Sequence, residues 1–153
     1  MKKSILLFAF LCIGTFVYSS SLQQMGQSLT TLKSTDEEKG IKFYEGTWEE
    51  ALAKAAKEDK YIFLDAYAAW CGPCKVMAKR EFVKEEVGDY FNKNFINFMM
   101  DMEKDPEGKR LGNKYEITAY PTLFIINANE EVVKQVIGYH KGKELITFGK
   151  SVK

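Results

Sequence analysis

The stretch AAWCGPCK, residues 68–75, decides how the rest of the chain is read. It sets Cys71 and Cys74 three positions apart, with Gly72 and Pro73 between them and Trp70 in front. Three chemistries use that spacing: half of a zinc site, a permanent staple, or a disulfide that opens and closes as its work. Zinc takes four ligands, and this chain offers one close pair and a single histidine, His140, so no metal site is expected. So short a loop recovers little chain entropy, which counts against a staple. The exchanging disulfide is favoured.

Working outward, the N-terminus reads as a targeting segment. Lys2 and Lys3 precede an apolar run from Ile5 to Tyr18, followed by Ser19, Ser20 and Ser21. That pattern predicts a cleaved secretory signal over residues 1–21. The run is shorter than the roughly 20 residues that span a bilayer, and an uncleaved anchor is the alternative. Cys12 lies within the run and leaves with it. Residues 22–40 are polar without apolar periodicity and read as a leader or linker, so the folded domain is expected over 41–153.

The formal net charge is +1 in 153 residues, and no basic run carries interleaved aromatics, so nucleic acid is not expected as a partner. Within the domain, residues 41–44 suggest a short strand, and Thr47 with Glu50 has the spacing of a capping box opening a helix. YIFLDAY, 61–67, is apolar almost throughout, as a strand covered on both faces should be. A helix is expected over 75–82, another over 85–92, a strand over 95–101, and a helix from Pro106 to about Tyr115. TLFIIN and EVVKQVI predict an antiparallel hairpin, and a short helix from about Lys143 closes the chain. This order argues for a central mixed sheet between helices.

With WCGPCK placed between a strand and a helix, the sequence resembles the thioredoxin superfamily over roughly residues 41–150. Asp65, six residues before Cys71, stands where thioredoxin has its acid, and Pro121 in AYPT occupies the place of the family's cis-proline. The stretch from Glu81 to Asn127 is similar to the exported thioredoxin-like group that includes the C-terminal domain of the reductant conductor DsbD. One departure stands out: thioredoxin has a lysine near the buried acid where this chain has Met99-Met100. The resemblance implies an α/β fold, a thioredoxin-like three-layer sandwich with a central mixed sheet and helices on both faces.

It also implies roles. Cys71, at the start of a helix, would be the attacking thiolate, since unpaired backbone N–H groups and the helix dipole favour its anion. Cys74, one turn along, would be sheltered and would resolve the mixed disulfide. Asp65, desolvated on its apolar strand, would accept the Cys74 proton; the alternative is an ordinary strand-end acid. Pro73 stiffens the pair, Gly72 leaves the approach to sulfur uncrowded, and a cis bond at Pro121 would turn the Tyr120 backbone toward a substrate peptide. Trp70 and Tyr120 are expected at the substrate surface, with plain packing as the alternative for each.

The function expected is exported thiol–disulfide oxidoreduction with cysteine-containing client proteins. The Gly-Pro insert resembles reducing members, so a monomeric reductant is expected, recharged by a membrane-borne electron donor in an oxidising compartment and needing no bound cofactor. A disulfide-forming oxidase is the alternative within the class. A non-catalytic binding or holding module is the alternative outside it.

Overall fold

The computed structural model describes residues 39–152. The expected signal segment, and the expected linker up to residue 38, lie outside the described residues. In chain order the elements are α1 (Trp48–Glu58), β1 (Tyr61–Tyr67), α2 (Gly72–Arg80), α3 (Glu85–Asn94), β2 (Phe95–Asp101), α4 (Pro106–Lys114), β3 (Thr122–Ile126), β4 (Val132–Ile137) and α5 (Gly142–Lys150).

The four strands form one sheet in the order β2-β1-β3-β4. β1 runs parallel to β2 and antiparallel to β3, and β3 pairs antiparallel with β4, so the sheet is mixed. β1 therefore has a strand on each side and helices above and below, which is why Ile62 to Ala66 are all buried. The period of two sorts its side chains. Ile62, Leu64 and Ala66 pack with Trp48, Ala51 and Ala55 of α1 and Leu111 of α4. Phe63 packs on the other face with Met77 of α2, Val87 and Phe91 of α3, and Leu145 and Phe148 of α5. The result is the expected α/β three-layer sandwich.

Local signals explain where helices start. Thr47 accepts from Glu50 N at 3.2 Å while Glu50 Oε2 accepts from Thr47 N at 2.8 Å, closing the capping box. Asp105 caps α4 by accepting from Glu107 N at 2.8 Å, and Pro106 opens that helix. A close approach fixes the entry to the domain: a Cβ on Gly88 would lie 2.3 Å from the Gly40 carbonyl oxygen.

Two expectations about elements need correction. Residues 41–44 form no strand: Lys42 N donates to Asn92 Oδ1 at 2.8 Å and Lys42 O accepts from Asn97 Nδ2 at 3.3 Å. Side-chain amides have taken the backbone groups that a ladder would use, leaving Tyr44 N to Asn97 O as a backbone tie to β2. The helix expected from Lys75 instead begins at Gly72, because Cys71 itself serves as its N-cap.

Candidate active site

β1 ends at Tyr67, and a tight turn closed by Cys71 N donating to Ala68 O at 2.9 Å delivers the chain to the start of α2. Cys71 is extended (φ −66°, ψ 110°) and its sulfur accepts from Cys74 N at 3.1 Å, so the sulfur takes one of the unpaired donors of the first helical turn. Cys74 lies within that turn, and the two sulfurs are joined in a disulfide with S–S 1.96 Å and Cα–Cα 5.4 Å. Pro73 occupies the first turn of α2, where its missing N–H costs nothing. A Cβ on Gly72 would meet nothing within 4 Å, so the space beside the pair is open.

Burial does not divide the sulfurs as expected. In the disulfide form Cys71 is 1% exposed and Cys74 4% exposed, so burial covers both cysteines and not Cys74 alone. Its cause is local packing: Ala68 shares a cluster with both cysteines, and Tyr67 and Tyr120 pack against it. What separates the two cysteines here is position on the helix, Cys71 at the cap and Cys74 inside the first turn.

Asp65 lies two residues beyond Phe63 on β1 and so points to the face covered by α2. It is 3% exposed, and its Oδ1 has no hydrogen-bond partner. Desolvation pushes its pKa up to about 7. Its register partner on β2 is Met99, so the position beside the acid carries no cation.

Pro121 follows a cis peptide bond from Tyr120 and precedes β3. Pro121 O accepts from Gly138 N at 2.7 Å, and Thr122 Oγ1 donates to Ala119 O at 2.7 Å. Trp70 stands 68% exposed, with its ring centroid 5.9 Å from that of Tyr120 at 73°. The structure thus brings Trp70, Cys71, Cys74 and Tyr120 together around one turn.

Two neighbours were not singled out from the sequence. Tyr67 packs against the cysteines, and Glu103 Oε2 accepts from Trp70 Nε1 at 2.8 Å. A signal for Glu103 existed: β1 and β2 are parallel with Tyr67 opposite Asp101, so the loops that follow the two strands emerge at the same end of the sheet.

Comparison with known proteins agrees with this arrangement. Residues 25–119 match the Thioredox_DsbH family, described as a protein of unknown function, DUF255. Thioredoxin 2 of Chlorobaculum tepidum is 32% identical over 97 residues, spanning 63% of this chain and 83% of that protein. A Bacteroides thetaiotaomicron protein, proposed to be a disulphide-isomerase, has a solution structure that superposes with a TM-score of 0.66. It is 43% identical and covers 75% of this chain and 97% of its own. The oxidised C-terminal domain of Neisseria meningitidis DsbD superposes with a TM-score of 0.61 at 25% identity, over 73% of this chain and all of that domain. With the cysteine pair seated at the head of α2 in this sandwich, the chain belongs to the Thioredox_DsbH family and is a thiol–disulfide oxidoreductase of thioredoxin-like fold.

Proposed function

We propose that the protein is an exported reductant of client-protein disulfides, with Cys71 attacking and Cys74 resolving. The observation that carries this reading is the pairing of a disulfide at the N-terminus of α2 with a buried, unpartnered carboxylate on the strand beneath. The Cys71 thiolate attacks one sulfur of the client disulfide and releases the other as a thiolate, which takes up a proton. Asp65 takes the Cys74 proton, and the Cys74 thiolate then attacks Cys71 Sγ, freeing the second client sulfur. Two electrons pass to the client and the Cys71–Cys74 bond forms; the first client thiolate is protonated from water and the second by the proton that Asp65 took from Cys74. A carboxyl group titrating near 7 is populated in both states near neutral pH, which suits an acceptor that must also give its proton back.

Trp70, Gly72, Pro73 and Tyr120 make the client surface in this reading, with the cis bond at Pro121 turning the Tyr120 backbone toward it. The open space beside Gly72 and the exposed indole support it. Export rests on the basic, apolar and small-residue pattern of residues 1–21. Among the described residues no helix is long and apolar enough to cross a membrane. A reductant in an oxidising compartment needs recharging, and similarity to the DsbD C-terminal domain supports a membrane-borne dithiol as the source. The protein acts as a monomer, with residues 41–153 as its catalytic domain.

Insulin reduction tests this reading. The purified protein should turn over insulin disulfides with dithiothreitol as donor, Cys71→Ser should abolish turnover, and Cys74→Ser should accumulate a mixed disulfide. Equilibration of the pair against glutathione sets the direction: a potential below the compartment's poise supports the reductant, and one well above it supports an oxidase. The disulphide-isomerase proposal for the Bacteroides relative favours rearrangement as a second reading, tested by refolding of a scrambled substrate.

A further inference from the structure

Trp70 has the highest exposure of any large apolar side chain among the described residues, yet it is held on two sides. Its Nε1 donates to Glu103 Oε2 at 2.8 Å and its ring meets Tyr120 edge to face. These partners come from different elements, the β2–α4 connection and the residue before Pro121. An exposed indole fixed beside a disulfide is a preorganised contact surface, because the rotamer entropy a partner would have to freeze is already lost.

Acidic groups outnumber basic ones beside Glu103, with Asp101, Glu103 and Asp105 against Lys104. Asp101 Oδ1 accepts from Glu103 N at 3.0 Å and Lys104 N at 3.1 Å, and Asp105 caps α4. Asp101, Glu103 and Asp105 form no ion pair with any described cation; Lys75 and Lys104, near them in sequence or on α2, are not joined to them. Their influence reaches the rings on the disulfide. After desolvation, Glu103 and Asp101 raise the Tyr120 pKa, and Asp101, Asp65 and Asp105 raise that of Tyr67.

We propose that Glu103 is a positioning and specificity residue of this site: it clamps the Trp70 indole against Tyr120 beside the Cys71–Cys74 pair, and its charge selects client disulfides flanked by Lys or Arg. The inference rests on the oxidoreductase reading above. The reaction itself is unchanged. Two electrons pass from the reduced Cys71–Cys74 pair to the client disulfide, while the flanking cation only alters how often and how well the client docks.

The test compares kcat/KM for two peptide disulfides identical except for Lys or Glu on each side of the cysteine, using the full chain at low and high salt. Wild type should prefer the Lys-flanked peptide by about two- to fivefold at low salt, as exposed charge pairs allow, and lose most of that preference in high salt. Glu103→Gln keeps an acceptor for Trp70 Nε1 and should leave the Trp70 indole N–H resonance near its wild-type position while bringing the ratio toward unity. Glu103→Ala should shift that resonance and lower kcat/KM for both peptides. Turnover of both peptides with no charge preference, or a preference that survives in Glu103→Gln, overturns the inference and leaves the oxidoreductase reading intact. No turnover of either peptide overturns both.

Discussion

Asp65 and Met99 are register partners across the parallel β1–β2 pair, the first 3% exposed and the second 46% exposed. The buried acid therefore has beside it, on the same face, a thioether that reaches solvent. Met99→Lys should fit without crowding, because the position is open at the surface. Its ammonium would favour the carboxylate and lower the Asp65 midpoint by about 1 unit. The check is the carboxyl band of Asp65 followed by infrared difference titration; an unmoved midpoint would contradict it.

Removal of the acid should reveal its effect on stability. The folded pKa of Asp65, about 7, lies above the ordinary aspartate value of 3.8. The folded form therefore favours the proton, and this contribution is full below pH 3.8 and is lost as pH rises through 7. Wild type should lose about 2 to 3 kcal/mol relative to Asp65→Asn between pH 5 and pH 8, measured by urea unfolding of the oxidised proteins. Parallel pH profiles for the two would contradict this.

A second carboxylate carries the opposite sign. Glu81, at the end of α2, accepts from Gly142 N at 2.7 Å, from the Tyr139 hydroxyl at 2.5 Å and from Lys84 Nζ at 2.5 Å. The Lys84 and Tyr139 hydrogen bonds hold its pKa near 2, so its stabilisation is present above 4.5 and is lost as pH falls through 2. Glu81→Gln should cost about 2 kcal/mol at pH 7, the scale of a charged hydrogen bond, and much less at pH 2. Thermal unfolding at the two pH values checks it.

Core packing gives a prediction independent of the chemistry. Phe63 and Phe91 are fully buried with ring centroids 4.5 Å apart, joining β1 to α3. Phe91→Ala should destabilise by about 3 to 5 kcal/mol through lost burial and the cavity left behind. Denaturant unfolding of the oxidised protein measures it.

Much of this was legible in the sequence because local chemistry and burial pointed the same way. β1 and β2 follow their apolar runs to the residue, since strands covered by helices leave little room for polar side chains. The Thr47 capping box was readable because both partners lie within four residues. The segment 41–44 misled because its extended pattern was real, but Asn92 and Asn97, far along the chain, took its backbone groups. Glu103 was missed for the same reason: its partner Trp70 lies 33 residues away, and only the sheet brings them together. Burial of Cys71 follows from Tyr67 and Tyr120, whose packing no local motif encodes.

The central claim is that Cys71 and Cys74 cycle between a bond and two thiols while a client gains the electrons. Alkylation followed by peptide mass spectrometry tests it directly, comparing protein left oxidised, protein reduced with dithiothreitol, and reduced protein after mixing with insulin. Both cysteines should resist alkylation in the first, react in the second, and resist again in the third while insulin thiols appear. Equal labelling of Cys71 and Cys74 in all three samples would contradict the account.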